Sequence, residues 1–193
     1  MNGYWIIRLK IQLDETPVWR LIEVFANTDL EKLHEIIQLA MGWENRHLYQ
    51  YKIDGERIMP EEEGFESPAS KYNLQSKLKK ILKKGQKFEY VYDLGDYWRH
   101  TIEVEDVIHR RYEDIGRDVM NGIPEKNYPH CLDGAKKCPP EDVGGVDSYI
   151  QFVNSMNTKN IRYERNVGWF GSHYDEDDFD RKAVNKELSF IFN

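Results

Sequence analysis

The chain reads as an α+β protein, two layers deep, built from antiparallel β-hairpins with helices gathered toward its C-terminus. Three observations point there. Apolar residues recur every second position in short stretches, and these stretches come in pairs joined by turn-forming residues. Other stretches carry a helical period between a capping residue and a glycine. The resulting order, ββα-ββ-α-ββ followed by a loop and helices, is that of an α+β domain with antiparallel pairs, and its opening is β-grasp-like.

Residues 4–13 (YWIIRLKIQL) open the first pair. Ile7, Leu9, Ile11 and Leu13 point one way, and Arg8, Lys10 and Gln12 the other. Residues 18–26 (VWRLIEVFA) are rich in β-branched and aromatic types, and Asp14-Glu15-Thr16-Pro17 between the two reads as a turn. Thr28 is then placed as an N-cap, with Glu31 three residues on completing a capping box. Leu30, Leu33, Ile36, Ile37, Ala40 and Met41 form the apolar stripe of the helix, and Gly42 stops it. A second hairpin joins 47–53 to 56–59 through Asp54-Gly55. Acidic residues mixed with Gly, Ser and Pro over 60–73 indicate a surface loop. Residues 74–84 are expected to form a short amphipathic helix, with Leu74, Leu78, Ile81 and Leu82 on one face. The third hairpin pairs 87–93 with 97–108 across Leu94-Gly95-Asp96.

Beyond residue 109 the periodicity fades. Residues 110–145 are expected to form a long functional loop, because a stretch of this length without its own pattern is unusual inside a compact domain. Helices are expected at about 146–157 and about 179–191, the latter turning Phe179, Ala183, Val184, Leu188 and Ile191 inward. The whole, 1–193, is read as one domain: a strand and helix core over 1–109, the loop, and C-terminal helices over 146–193.

Composition narrows the classes of function. A net charge of -7 makes the chain a poor general binder of phosphate backbones, which need clustered Lys and Arg. Nucleic acid therefore stays a disfavoured partner; the Lys run at 77, 79, 80, 83, 84 and 87 could touch it but also suits the solvated face of a helix. No apolar run approaches the ~20 residues that span a bilayer, so no membrane association is expected. The N-terminus lacks the apolar core of a signal peptide. Two cysteines suit a reducing, cytoplasmic setting. Aromatic residues make up 13% of the chain, which argues against disorder despite a mean hydropathy of -0.75.

Two dense polar clusters stand out. The first, Asp93 to His100, places Asp93, Asp96, Trp98 and His100 about one hairpin tip, where carboxylates and an imidazole can hold a divalent metal or move protons. The plainer reading gives Asp93 and Asp96 to turn capping, His100 to a satisfied half-buried position and Trp98 to the core. The second runs from Cys131-Leu132-Asp133-Gly134 to Cys138-Pro139-Pro140-Glu141-Asp142-Val143-Gly144-Gly145. Glu141 and Asp142 suit ligands, or equally an acidic approach to a helix N-terminus. Cys131 and Cys138 with His130 are metal candidates that would still need a fourth ligand such as His173 or Asp133, since their spacing is not that of a zinc site; two reduced cysteines are the plain alternative.

These segments, together with Pro17-Val18-Trp19-Arg20 and Gly42-Trp43 with His47-Leu48-Tyr49, resemble the plasmid open-reading-frame-three-like family, named after a root-inducing plasmid. The similarity runs from about residue 4 to about residue 189. It implies an α+β domain common on plasmids and mobile elements, some members carrying a resolvase-like passenger label, and it supplies no catalytic residues. A serine recombinase needs a nucleophilic serine in a basic setting, and the serines here lie outside both polar clusters.

The sequence thus points first to a ligand- or partner-binding, regulatory domain. His47, Asp93, Asp96, Trp98, His100, Glu141 and Asp142 would line its groove. A metal-dependent hydrolase using a divalent cation, and a nucleic-acid-associated protein of a mobile element, are the alternatives. Whether the chain is an enzyme, and what its partner is, the residues leave open.

Overall fold

In the computed structural model, residues 3–61, 70–111 and 128–191 are described. The elements are β1 (Gly3–Leu13), β2 (Trp19–Phe25), α1 (Leu30–Met41), β3 (Tyr49–Ile53), β4 (Glu56–Ile58), α2 (Leu78–Ile81), β5 (Lys87–Tyr92), β6 (Trp98–Arg111), β7 (His130–Ala135), α3 (Gly145–Thr158), α4 (Tyr163–Phe170) and α5 (Arg181–Leu188). The seven strands make one antiparallel sheet in the order β4-β3-β5-β6-β1-β2-β7.

All three expected hairpins are present. Asp54 and Gly55 both take positive φ, 51° and 82°, as a tight two-residue hairpin turn requires. Register then decides what each face carries. Tyr51 lies opposite Tyr90, Tyr90 opposite His100, Ile102 opposite Ile11, and Ile11 opposite Arg20. This face packs on the helices: His34 of α1 bonds Tyr90, the Tyr51 hydroxyl donates to the Leu30 carbonyl at 3.0 Å, and Tyr149 of α3 meets the Trp98 ring edge-on. The reverse face carries Lys87–Glu103, Lys52–Glu89 and Arg99–Asp14 ion pairs, so the apolar alternation of β1 reads out as a helix-covered face and a charged one.

Helix α1 buries all six stripe residues and two polar ones besides, His34 and Gln38. Its N-cap is Asp29 rather than Thr28: the Asp29 carboxylate accepts from the Lys32 N–H at 2.9 Å. The expected helix over 74–84 shortens to the single turn of α2. The residues bounding it, Lys77 and Leu82, are extended; Leu74 O accepts from Glu31 N, and the N–H groups of Leu78 and Lys79, within the turn itself, donate to Thr28 O and Ala26 O. Those carbonyls, at the entrance to α1, outbid a local helix that would have to order five lysines.

The sequence reading of 110–145 as loop changes in its second half. Residues 130–135 are a strand, β7, paired along β2. At Cys131 a side chain stands in for a further strand: Asn185 of α5 accepts from the Cys131 N–H at 2.7 Å and donates to the Cys131 carbonyl at 2.9 Å. Residues 112–127 and 62–69 of the expected loops lie outside the described residues. Helix α4 falls where no element was expected. In α5 Leu188 is buried and Val184 partly so, whereas Ala183, expected inside, is exposed and Asn185 takes the inward role.

Arg20, only 2% exposed, ties the layers together. Its guanidinium donates to the carbonyls of Ala40, Trp19 and Ala135 and lies 4.2 Å over the Phe179 ring. Burial lowers its pKa, while the three carbonyls satisfy a charge that would otherwise be costly to bury. One of them, Ala40 O, belongs to the last turn of α1, where a cation is favoured by the helix dipole.

Candidate functional site

At the end of the sheet where β3 and β6 begin and β5 stops, three connections meet: 42–48, 93–97 and 136–144. Each is held in place by side-chain hydrogen bonds. The first is fixed by His34, whose Nδ1 and Nε2 lie 2.7 Å from the Tyr90 hydroxyl and the Asn45 Oδ1. Gln38 completes this network by donating to the Tyr90 hydroxyl and accepting from the Asn45 N–H. Asn45 has a φ of 55°, a left-handed geometry that Asn tolerates better than most residues. Burial pushes the His34 imidazole down to about 4, so it is neutral at pH 7.

The second connection is an Asx-type turn. Asp93, itself at positive φ, accepts through Oδ1 from the N–H groups of Gly95 and Asp96 at 2.8 and 3.2 Å. Only that oxygen is used by the turn. The third connection docks on both others. Trp43 donates its indole N–H to Pro139 O at 3.0 Å, the Asp96 carboxylate accepts from the Gly144 N–H at 2.9 Å, and Glu141 Oε1 accepts from the Tyr92 hydroxyl and the Glu44 N–H.

The free oxygens converge on one imidazole. His47 Nε2 lies 3.1 Å from Asp142 Oδ1, 3.7 Å from Asp93 Oδ2 and 3.8 Å from Glu141 Oε2. None of the three approaches has hydrogen-bond geometry: His47 Nε2 and Glu141 Oε2 are both buried and make no hydrogen bond among the described residues. Three carboxylates around one imidazole leave an excess of negative charge, because His47 is the basic group in ion-pair range of them among the described residues. The ligand atoms of His47, Asp93 and Asp142 lie within 4.8 Å of one another. Donors across a single oxygen-ligated cation stand up to about 5 Å apart, so the set matches a cation's coordination shell. A cavity of about 560 Å³, lined by Arg46, His47, Tyr49, Pro60, Asp93 and Gly95, opens beside it.

The remaining sequence candidates fall elsewhere. Asp96 faces the Gly144 backbone and anchors the third connection. Trp98 and His100 are fully buried under Trp43, behind the site, so neither lines the groove expected of them. Burial lowers the His100 pKa to about 4, and its Nδ1 sits 3.3 Å from Tyr90 O. Cys131 and Cys138 are buried free thiols and, among the described residues, form no set of metal-competent atoms with His130. Burial raises Cys131 to about 11 and Cys138 well above the usual thiol range, against the opposing pull of Arg20. Three of the six lysines in the 77–87 run pair with carboxylates, Asp29, Asp106 and Glu103. Tyr92 and Asn45, which hold the site together, carry no motif signal; only their positions one residue before Asp93 and two before His47 hint at it.

The model of the "Plasmid pRiA4b ORF-3-like protein" family matches residues 5–183. The chain belongs to that family. The chain is similar to the uncharacterised protein y4hQ of Sinorhizobium fredii, 34% identical over 185 residues, covering 93% of this chain and 86% of that one. The fold is shared with a crystal structure of a protein of unknown function, MM3350 of Methanosarcina mazei Go1. That match has a TM-score of 0.78 and 26% identity, over 95% of this chain and 98% of the other. The family resemblance and the α+β architecture expected from the sequence are thus both found. No helix among the described residues is long and apolar enough to cross a membrane.

Proposed function

We propose that this family member is a ligand-binding domain whose site takes a divalent cation through His47, Asp93, Glu141 and Asp142. One observation carries the reading: His47 Nε2 and Glu141 Oε2 are buried, close together and without hydrogen bonds, beside two further carboxylates. Buried polar atoms left unsatisfied are costly, and a cation would satisfy all of these at once. One imidazole with carboxylates suits Mn²⁺ or Zn²⁺. The Asp93 turn, the Glu141 bonds to Tyr92 and Glu44, and the Trp43 anchor supply the outer contacts that orient such ligands.

The test is titration of chelator-stripped full-length protein with Mn²⁺, free ion being followed by electron paramagnetic resonance. One ion per chain is expected, with His47→Ala and Asp142→Asn each weakening uptake at least tenfold. Absence of saturable uptake, or uptake unchanged in both variants, defeats the reading.

A second reading, hydrolysis at that cation, is favoured by the cavity beside His47 and Asp93, which leaves room for water and substrate on the open side. Turnover of a p-nitrophenyl phosphate that needs Mn²⁺ and disappears in Asp93→Asn is its signature.

A further inference from the structure

A second cavity, of about 340 Å³, lies between α3 and α4 and shares Asp142 with the cluster just described. That volume falls within the range of small-ligand sites. Its walls differ in character from those of the cavity beside His47. Arg162 and Arg165 stand on the α4 side, Ser148 and Gln151 on α3, and Trp169, half exposed, also lines it. Neither arginine is paired with a carboxylate among the described residues; Arg162 donates to Gln151 instead. Trp169 is not loose at the surface, because its ring meets Phe152 edge-on at 5.8 Å, and Phe152 is buried against Tyr174. Asn166 is likewise tied inward, donating to Ser155 Oγ at 2.6 Å, so the face of α4 that lines the cavity has a fixed orientation.

These pieces recognise one kind of molecule. Two guanidinium groups without a carboxylate partner among the described residues suit an oxyanion, and in bidentate fashion when it is a phosphate. A supported indole offers a flat surface for a planar ring. Asp142 is common to the two sites: His47 Nε2 sits 3.1 Å from its carboxylate, and the same residue lines the cleft that holds Arg162 and Arg165. The backbone at Asp142, at a φ of 58°, turns sharply to present it there.

We propose that the α3–α4 cleft receives a nucleotide-like ligand, its phosphate placed between Arg162, Arg165 and the cation held at Asp142, and its ring on Trp169. This inference rests on the cation reading given above and names the class of ligand for the same site.

The experiment uses the full chain loaded with Mn²⁺, with AMP, adenosine and inorganic phosphate as the probes in isothermal titration calorimetry. AMP is expected to bind one to one, and more tightly than phosphate or adenosine. Arg162→Ala/Arg165→Ala should weaken AMP at least tenfold while Mn²⁺ uptake stays within twofold of the parent protein. Trp169→Ala should weaken AMP and adenosine and leave phosphate unchanged. Both variants alter exposed side chains, and a thermal melt matching the parent confirms their folding. Mn²⁺ uptake without AMP binding, or parent-like AMP affinity in the double arginine variant, overturns the cleft alone and leaves the cation site standing. Phosphate binding as tightly as AMP overturns the role given to Trp169. Failure of the parent protein to take up Mn²⁺ overturns both.

Discussion

The indole of Trp43 donates a hydrogen bond of 3.0 Å to the carbonyl of Pro139. It clamps the loop after α1 to the diproline segment, and in doing so sets Glu44 N against Glu141 Oε1 at 2.9 Å. The clamp is buried, with Trp43 5% exposed and packed on Tyr92. Trp43→Phe keeps most of the ring and removes the donor, leaving a buried carbonyl unpaired. A loss of about 1–3 kcal/mol in urea unfolding is expected, together with weaker Mn²⁺ uptake, since Glu141 loses its backstop. Unchanged values of both would show the clamp to be incidental.

Gly145 offers a backbone test of the same convergence. Its φ is 79°, and an added Cβ would stand 2.9 Å from the Asp96 carbonyl oxygen. Gly145→Ala should therefore cost roughly 1–3 kcal/mol through left-handed strain and a backbone collision. At about 2–4 °C per kcal/mol for a chain this size, a thermal melt resolves it. Gly42→Ala is the control for φ alone: Gly42 also has positive φ, 89°, but open space where its Cβ would lie. The difference between the two variants measures how tightly the turn at Gly95 and the start of α3 are pressed together.

Stability should fall on acidification before the carboxylates titrate. His34 and His100 both have pKa values lowered by burial, from 6.5 to about 4. Above pH 6.5 they are neutral folded and unfolded, and the contribution is fully present. Between 6.5 and about 4 the unfolded chain takes up protons that the folded one refuses, so stability declines; below that window the decline ends. Each of the two contributes at most roughly 3 kcal/mol. Urea midpoints at pH 7, 6 and 5 check this, and a flat profile across that range would refute it.

The thiols give a fourth expectation. Cys131 and Cys138 are buried, and burial holds both pKa values above the ordinary range. Thiolate is the reactive form, so native protein at pH 8 should react with a disulfide reagent far more slowly than free cysteine, and both thiols should react fully once denatured. Rapid stoichiometric labelling of the native chain would mean that the 131–138 segment opens readily.

The hairpins were legible because their signals are local. Asp54-Gly55 names its own turn, and Ile7 to Leu13 name their own face. Strand β7 was not legible, because HCLDGA lacks alternation and its partners, β2 and Asn185, lie far away in the chain. Helix α4 begins at Tyr163, and Arg162 before it makes no capping side-chain bond, which leaves no start signal to read. At the site, the residue types were visible and the division of labour was not. Asp93 and Asp96 look alike on paper, yet Asp93 spends one oxygen on its turn and turns the other to His47, while Asp96 secures Gly144. His100 sits in the same motif as Asp93 but points inward with the helix-covered face, a distinction that strand register makes and spacing does not.

The position of β1 has a consequence for biosynthesis. Its first neighbour, β2, follows at once, but its other neighbour, β6, is translated about a hundred residues after its start. During that interval an eleven-residue strand rich in isoleucine has one edge open to any passing chain. Nascent protein is thus most exposed to wrongful pairing before β6 leaves the ribosome, and slowing translation over the intervening stretch would lengthen the hazard.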